Sequence, residues 1–303
     1  MKILIAGGAG FIGSHLGDKL IAKNHQVLVL DDLSSGCKEN INPQSQFIKL
    51  DINSQRLGKV IADFKPEAIY HLAAQKSVSA SFLDPKLDAQ INIIGSLNIL
   101  QEALKQKVKR FIFVSSAAVY GALKERPISE RVKTEPLSPY GLNKLVFEKY
   151  LPILVNNKLI WTVIRPANVY GPRQDPQGEA GVIAIFINNI INNLSLNING
   201  DGQQTRDYVY VADLVQGLVK ALKKRGGIFN IGTGQERTVN DLVKYLKEIS
   251  KKEIKVKKRA ALQGEIKYSC LDLRKAQKEL NFKPQFSIKK GLELTYQWFK
   301  NKK

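Results

Sequence analysis

Short apolar runs alternate with amphipathic segments along the first half of the chain. The apolar runs are KILIA, QVLVL, FIKL, EAIYHLAA, RFIFVSS and WTVIRP. Between them, apolar residues recur at helical spacing, as in FIGSHLGDKLIAK and QRLGKVIADF. Strands that are buried on both faces read as continuous apolar runs, and parallel strands are joined by helical crossovers. The alternation therefore predicts an α/β fold with a doubly wound parallel sheet.

The pattern changes after Pro166. The segment NVYGPRQDPQGEAG is rich in Gly and Pro, and later helical patterns are separated by irregular stretches such as LNINGDGQQTRDY. We therefore predict two parts, a sheet-forming domain over residues 1–168 and a smaller mixed α/β region over residues 169–303. We expect the second part to lie over the carboxyl ends of the strands, with some of its segments returning to the first domain.

Composition and charge narrow the class of protein. The 303 residues are 44% hydrophobic and 24% charged, as in soluble globular proteins, and no apolar run is long enough to span a membrane. Two distant cysteines, Cys37 and Cys270, form neither a disulfide framework nor a metal pattern, so we expect a cytoplasmic protein without a metal. The net charge is +20, and the last 63 residues hold 18 Lys and Arg against 7 Asp and Glu. Such a charge attracts anions, but no nucleic-acid-binding motif accompanies it.

Small residues are concentrated where the first apolar run meets the first helical segment. In GGAGFIG, Gly7, Gly10 and Gly13 are three residues apart, and Gly8, Gly10 and Gly13 also satisfy G-x-G-x-x-G. Between a strand and a helix, this spacing lets the backbone turn tightly and approach a pyrophosphate, which the free N–H groups of the helix N-terminus bind. The motif predicts dinucleotide binding by a Rossmann fold.

Acidic residues follow the next two apolar runs. Asp31 ends the second run, 18 residues after Gly13. A carboxylate there accepts hydrogen bonds from an adenosine ribose and repels a 2′-phosphate, so Asp31 indicates NAD rather than NADP. Asp51 and Ile52 follow the third run, where they are candidates for contacting the adenine edge.

The segment SPYGLNK combines a helix start with a candidate acid–base pair. The Ser-Pro pair at 138–139 suits an N-cap and a first helical turn, so Tyr140 and Lys144 lie one turn apart on one helix face. A free phenol has a pKa of about 10, and a nearby ammonium together with a positively charged nicotinamide favours the phenolate. Tyr140 is then a proton acceptor beside a hydride acceptor. Ser115 and Ser116, at the end of RFIFVSS, supply a hydroxyl at the ligand-binding edge of the sheet.

Seven motifs occur in a fixed order along the chain. They are GGAGFIG, HLAAQKSV, VSSAAVYG, SPYGLNK, RPANVYGPRQ, RDYVYVADL and NIGTG. Together they resemble the extended short-chain dehydrogenase/reductase family, and most of all its UDP-glucose 4-epimerases and related nucleotide-sugar epimerases. The resemblance spans essentially the whole chain. It implies a NAD-binding Rossmann domain over residues 1–168 and a mainly nucleotide-sugar-binding region over residues 169–303.

The resemblance also implies a set of site residues. The family's catalytic Ser, Tyr and Lys match Ser116, Tyr140 and Lys144. Its NAD contacts match Gly7, Gly10, Phe11, Ile12, Gly13, Asp31, Asp51, Ile52, Leu72, Ala73, Ala74, Lys76, Asn92, Tyr140, Lys144 and Pro166. Its nucleotide-sugar contacts match Lys76, Ser116, Tyr140, Asn168, Arg206, Glu265 and Ser269. No metal ligand is implied.

Two positions near the Gly-acid pair, Leu262 and Ser269, bear on the substrate. Epimerases of this type carry an Arg two residues before the Gly of a Gly-acid pair, where it holds the diphosphate, but AALQGE has Leu262 there. Arg259, three residues earlier, is the candidate substitute. In the resembling epimerases, the residue four places after the acid lies beside the sugar 2-position. A small residue at that place, here Ser269, implies that N-acetylhexosamines also fit.

The resemblance implies a NAD-dependent epimerase that inverts C4 of a UDP-hexose through a 4-keto intermediate. Dehydratases of the family carry Thr-Asp-Glu where this chain has Ser116, Ala117 and Ala118, so the missing carboxyl groups favour epimerisation. One alternative is an epimerase or dehydratase of another nucleotide sugar, such as a UDP-uronate or a dTDP-hexose. A second alternative is an inactive NAD-binding regulator that uses its basic C-terminal region on nucleic acid.

Helical segments 88–106 and 139–155 carry more apolar residues than one core-facing stripe needs. The residues in question are Ile91, Ile94, Leu97, Leu145, Val146 and Leu151. Because the family often pairs these helices into a four-helix bundle, we expect a homodimer.

Overall fold

The computed structural model describes residues 1–123, 125–155, 159–177, 181–224, 226–261 and 266–302. The strands are β1 (Lys2–Ala6), β2 (Gln26–Asp31), β3 (Gln46–Lys49), β4 (Ala68–His71), β5 (Arg110–Val114), β6 (Ile160–Pro166), β7 (Asn168–Tyr170), β8 (Leu196–Asn199), β9 (Thr205–Tyr210), β10 (Gly227–Ile231), β11 (Glu236–Thr238) and β12 (Val256–Arg259). The α-helices are α1 (Phe11–Ile21), α2 (Leu57–Phe64), α3 (Val78–Leu83), α4 (Pro85–Ala89), α5 (Ser96–Lys105), α6 (Pro139–Leu154), α7 (Val182–Ile191), α8 (Val211–Ala221), α9 (Val239–Ser250), α10 (Arg274–Leu280) and α11 (Ile288–Asn301). Across these ranges, no helix is both long and apolar enough to cross a membrane.

Seven parallel strands form the central sheet in the order β10-β6-β5-β4-β1-β2-β3. The predicted doubly wound α/β fold is confirmed, and the six apolar runs of the sequence form β1 to β6. The chain runs outward from β1 to β3 and then returns to the other side of β1 with β4. Loops that follow β1 and β4 therefore diverge and leave a crevice at the carboxyl edge of the sheet, which is where such folds bind ligands.

Alternate residues of each strand supply two hydrophobic cores. In β1, Ile3 and Ile5 belong to one core, whereas Leu4 and Ala6 belong to the other. Helices α1 and α8 cover the first face of the sheet, and α2, α5 and α6 cover the second. Because both faces exclude water, the strands need uninterrupted apolar sequences, and this is why the short apolar runs identified them.

Residues after Pro166 form two smaller sheets and also return to the large one. β7 runs parallel to β9, β11 runs antiparallel to β9, and β8 pairs with β12. β10 extends the large sheet beside β6, and α8 packs on α1. Because β7 follows β6 almost directly in the chain, the three-stranded sheet β11-β9-β7 begins beyond the carboxyl end of β6.

The segment predicted as one helix over 88–106 consists of three helical pieces. α4 ends at Ala89, residues Gln90–Gly95 are π-helical, and α5 begins at Ser96. A single π-helical turn inside a longer helix is frequent at functional sites, because it shifts the side chains that precede it relative to those that follow. Here it buries Asn92, whose Nδ2 donates to Asp88 Oδ1 at 3.0 Å.

Candidate active site

The glycines of the loop between β1 and α1 differ in how much space surrounds them. Gly7 has φ +81°, and a Cβ there would lie 2.5 Å from the backbone N of Ala73. A Cβ on Gly13 would lie 2.1 Å from the carbonyl oxygen of Gly7, so the turn closes only with glycine at both places. A Cβ on Gly10 would meet only the Gly7 oxygen, at 3.3 Å, and Gly10 caps α1 without a side chain. The loop therefore leaves room for a pyrophosphate at the helix N-terminus.

Asp31 joins the cofactor loop to the end of β2. Its carboxylate is 7% exposed and accepts the backbone N–H of Ala9 and of Leu33, each at 2.9 Å. Burial raises the pKa of Asp31, while these N–H donors act in the opposite direction. Each carboxylate oxygen has a second lone pair, so Asp31 can hold the loop and still accept a ribose hydroxyl. Its loop-organising role was missed by sequence reasoning, because Ala9 is distant along the chain.

The other residues that the resemblance assigned to NAD lie just after the carboxyl ends of parallel strands or at the start of α1. They are Asp51 and Ile52 after β3, Leu72, Ala73, Ala74 and Lys76 after β4, Pro166 at the end of β6, and Phe11 and Ile12 at the start of α1. Asp51 is exposed and accepts the N–H of Asn53 at 2.7 Å, so it forms a turn as well as being a candidate adenine contact. Asn92 is buried, and its Oδ1 has no hydrogen-bond partner within the described ranges. An open glycine loop, a buried carboxylate at the end of β2 and an unpartnered amide oxygen together fit NAD.

Helix α6 begins where the sequence predicted and carries both Tyr140 and Lys144. Ser138 caps the helix by accepting the N–H of Gly141 at 3.1 Å, and Pro139 occupies the first turn. Lys144 is buried and donates from Nζ to the carbonyl oxygen of Val114 at 3.2 Å. The same Nζ lies 5.9 Å from the centre of the Tyr140 ring. The ammonium is therefore fixed between the end of β5 and the phenol.

The two candidate serines have different environments. Ser116 ends the loop after β5, accepts the N–H of Ala118 at 3.1 Å and hydrogen-bonds the Tyr140 side chain. Ser115 is buried and instead donates to Glu148 Oε1 at 2.5 Å. The structure thus leaves Ser116 beside the phenol, while Ser115 takes part in the core.

Burial disfavours the phenolate form of Tyr140 in the chain alone. Burial is the largest influence and raises the pKa of Tyr140 to about 12; the Ser116 hydrogen bond opposes it, and the charge of Asp88 acts with it. Burial also lowers the pKa of Lys144 to about 8, against the charges of Asp88 and Glu148. The phenolate was predicted from Lys144 together with a positively charged nicotinamide, and that combination stays a prediction.

A second polar cluster behind the pair was not foreseen from the sequence. Glu148, one turn beyond Lys144, forms a buried ion pair with Arg165 of β6. The Arg165 guanidinium also lies 4.8 Å from the ring centre of Tyr120. The four-residue spacing of Tyr140, Lys144 and Glu148 was a usable signal, since it places these three side chains along one line of the helix.

Two of the candidate substrate residues, Asn168 and Arg206, lie on the sheet β11-β9-β7. Asn168 pairs with Tyr208, so Asn168 and Arg206 share one face of this sheet. Ser269 is partly exposed, between Lys267, whose carbonyl oxygen accepts the N–H of Thr205, and Cys270, whose carbonyl oxygen accepts the N–H of Ile128.

Two further predictions concern the Gly-acid pair and its missing arginine. Glu265 and Leu262 lie outside the described residues. Arg259 ends β12 and is exposed, with its carbonyl oxygen accepting the N–H of Gly200. Among the described residues, no group of three or more His, Cys, Asp or Glu side chains could hold a metal ion.

Several known proteins match this chain in sequence and in structure along nearly their whole length. Residues 3–232 match the model of the NAD dependent epimerase/dehydratase family. A UDP-glucose 4-epimerase of Mycolicibacterium smegmatis is 40% identical over 100% of this chain and 99% of its own. The crystal structure of a UDP-glucose 4-epimerase from Thermotoga maritima with UDP-glucose has a TM-score of 0.95 at 44% identity, covering 100% of this chain and 99% of that chain. A UDP-N-acetylglucosamine 4-epimerase of Methanobrevibacter ruminantium, solved with UDP-N-acetylmuramic acid, has a TM-score of 0.95 at 34% identity, covering 100% and 99%.

The family match covers most of the chain and includes both the glycine loop and the Ser116, Tyr140 and Lys144 cluster. The relatives match it from end to end. The chain therefore belongs to the NAD dependent epimerase/dehydratase family and is an epimerase-type enzyme with NAD as its cofactor.

Proposed function

We propose that the chain inverts C4 of a UDP-hexose, interconverting UDP-glucose and UDP-galactose and also their N-acetylhexosamine forms. The observation that carries the proposal is the placement of Ser116, Tyr140 and Lys144 at the carboxyl edge of the sheet, beside a loop shaped for NAD. Ala117 and Ala118 follow Ser116 and supply no carboxyl group for water elimination. Epimerisation is therefore favoured over dehydration.

The reacting groups act on the sugar 4-hydroxyl. Tyr140 removes its proton, and Ser116 hydrogen-bonds the same oxygen and holds it against the phenol. NAD, when bound, supplies the acceptor and donor of the hydride at C4 and a positive charge that favours the Tyr140 phenolate. Lys144, fixed by the Val114 carbonyl, balances the negative charge on Tyr140. A positioned acid–base group contributes a factor of roughly 10²–10⁴ in rate.

The sugar nucleotide has its proposed contacts on the C-terminal side of the crevice. We propose that Asn168 and Arg206, which share one face of the three-stranded sheet, contact the diphosphate. Glu265 and, from the loop after β4, Lys76 are further proposed contacts. This division of labour makes residues 1–168 the NAD-binding part and residues 169–303 mainly the substrate part. The T. maritima relative with UDP-glucose supports a UDP-sugar substrate.

Ser269 is the proposed gate for the sugar 2-position. A serine leaves space that a tyrosine ring would fill, and overlap of packed atoms is costly. The M. ruminantium relative, named for an acetamido sugar, supports a pocket of this size. We therefore expect activity on both plain hexoses and N-acetylhexosamines.

A panel of nucleotide sugars tests the proposal directly. The purified protein is incubated with UDP-glucose, UDP-N-acetylglucosamine, UDP-glucuronate and dTDP-glucose, and the products are separated. Conversion to the 4-epimers of the first two supports the proposal, whereas conversion of only the last two would overturn it. Ser269→Tyr should lose the acetamido substrates selectively, while the matched control Ser269→Ala should keep both classes.

The same preparation tests the nucleic-acid alternative. A gel-shift assay at two salt concentrations should show no strong, salt-sensitive binding if the basic region only forms a solvated surface. Strong binding without turnover of any nucleotide sugar would instead favour the regulatory role.

We also propose that a second copy of the chain covers the face formed by α3, α4, the π-helical segment and α6. Leu83 is 87% exposed, Ile153 76% and Phe82 60%, and α6 packs beside the other three elements. Leu145 and Leu151, predicted as part of this surface, are instead buried within the subunit. The exposed apolar residues are Val78, Phe82, Leu83, Leu87, Ile94, Leu142, Ile153 and Leu154.

A further inference from the structure

Asp88 lies at the end of α4, completely buried, and its carboxylate contacts three side-chain amides. Gln75 Nε2 donates to Oδ1 at 2.6 Å and Asn92 Nδ2 donates to the same oxygen at 3.0 Å. Asn143 Nδ2 donates to Oδ2 at 2.6 Å. Among the described residues, no Lys, Arg or His forms an ion pair with Asp88. A buried carboxylate without a paired cation is costly, so its presence calls for an electrostatic reason.

The side-chain amides connect Asp88 to α6, the helix that carries Tyr140 and Lys144. Asn143 immediately precedes Lys144 on α6 and follows Tyr140 by three residues. Asn92 and Gln75 tie the same carboxylate to the π-helical segment and to the loop after β4, since Asn92 Nδ2 also donates to the carbonyl oxygen of Gln75 at 3.0 Å. The network therefore fixes α6 against two elements that line the crevice.

We propose that Asp88 is a positioning residue of the reaction proposed above, on which this inference rests. Through Asn143 it holds the face of α6 that carries Tyr140 and Lys144, and its buried charge favours the protonated form of both groups. Without this charge, Lys144 would lose its proton more readily in a buried site.

Other charged groups around the pair do not replace Asp88. Glu148, one turn beyond Lys144 on α6, is already paired with Arg165. His71, at the end of β4, is neutral, because burial and the neighbouring Lys144 lower its pKa to about 3. Of the remaining neighbours, Lys76 in the loop after β4 is exposed, α3 carries no ionisable side chain, and the phenol of Tyr120 stays neutral because burial raises its pKa to about 12.

The direction of the effect follows from the sign of the charge. Asp88 raises the pKa of Tyr140 and counteracts the burial that lowers the pKa of Lys144. Removing the negative charge should therefore lower both pKa values. The acid limb of the pH–rate profile reports formation of the phenolate and the alkaline limb reports loss of the ammonium, so both limbs should move to lower pH.

The test uses Asp88→Asn in the full-length protein with its cofactor. An asparagine keeps the size of the side chain, and Asn143 can turn its amide to present an oxygen, so the three hydrogen bonds can persist. We expect both limbs of kcat/KM to shift down by about one pH unit, the order of magnitude for a neighbouring charge. Asp63→Asn, an exposed carboxylate on α2, is the matched control and should leave the profile in place. An unshifted profile with a lower maximum would overturn the proposal, since a structural defect alone predicts that result.

A second readout does not depend on turnover. Nuclear magnetic resonance of isotope-labelled lysine, with the Lys144 signal assigned by its loss in Lys144→Met, gives the Lys144 pKa directly. It should fall in Asp88→Asn relative to the unaltered protein and to Asp63→Asn. If no nucleotide sugar is epimerised but the Lys144 pKa falls, the proposed function fails and the role of Asp88 stands. If epimerisation occurs and the Lys144 pKa is the same in all three proteins, the role of Asp88 is excluded.

Discussion

Arg206 of β9 lies directly opposite Arg237 of β11 in the antiparallel ladder, so both side chains leave the same face of the three-stranded sheet. Asn168 and Tyr208 form the neighbouring pair on that face. Like charges placed directly opposite each other across two strands are destabilising. An anion bound beside both arginines would relieve such repulsion, and we expect the diphosphate of the proposed substrate to act in this way.

Arg237→Gln should accordingly weaken UDP binding without destabilising the free protein. The melting temperature without ligand should stay the same or rise slightly, and the increase that UDP causes should shrink. Lys257→Gln, on the exposed strand β12, is the control and should respond to UDP as the unaltered protein does. An undiminished UDP effect in Arg237→Gln would place the diphosphate away from this pair.

Tyr140→Phe should abolish turnover and leave the fold intact. The substitution removes only the hydroxyl group, and a positioned acid–base group contributes a factor of roughly 10²–10⁴ in rate. Activity is measured by product separation and stability by thermal melting, with Tyr150→Phe on the same helix as the control. Substantial activity in the Phe variant, with an unchanged melting curve, would show that another group is the base.

Two substitutions in the glycine loop should have different effects. In Gly13→Ala the new Cβ meets the Gly7 carbonyl oxygen at 2.1 Å, so the loop must shift, at a cost of about 1–3 kcal/mol for overpacking. In Gly10→Ala the new Cβ meets only the Gly7 oxygen, at 3.3 Å, so we expect a smaller loss of stability than in Gly13→Ala, together with weaker NAD binding. Melting curves and NAD titration separate the two. Equal losses of stability in both variants would contradict this division of roles.

Glu148→Ala should destabilise the protein strongly. It leaves the buried Arg165 guanidinium without its partner and removes the acceptor of Ser115, and breaking a buried ion pair costs about 3–5 kcal/mol. Denaturant unfolding gives the change in the free energy of unfolding. Glu248→Ala breaks the exposed pair with Lys289 and should leave that free energy nearly unchanged. Similar values for the two variants would mean that the buried pair contributes little.

The exposed apolar face should hold two subunits together. Light scattering of the unaltered protein at micromolar concentration should give twice the 33.9 kDa mass of one chain. Leu87→Glu or Ile153→Glu should give single chains, because a charge is then buried in the contact. Leu194→Glu alters an equally exposed leucine outside this face and should remain dimeric. A single-chain mass for the unaltered protein would refute the dimer.

The sequence by itself determined the features that depend on neighbouring residues. Gly7 and Gly13 stand where the turn after β1 excludes any side chain, and the Ser-Pro pair at 138–139 starts α6 as its chemistry requires. The spacing of Tyr140 and Lys144 followed from helical geometry, and the apolar runs identified β1 to β6 because both faces of the sheet exclude water.

Only the tertiary structure decided which groups from distant segments meet. Asp88 contacts Asn143 across 55 positions of sequence, and Glu148 accepts from Ser115 across 33, so Ser116 is the serine left beside the phenol. The pKa of Tyr140 rises because desolvation depends on every segment packed around the ring, and no local spacing encodes that. Likewise, Leu142 of α6 is exposed whereas Leu145 of the same helix is buried, because burial depends on which elements pack against each side chain. Periodicity shows that a helix has apolar residues on several sides, but the neighbouring elements determine which sides the subunit itself covers.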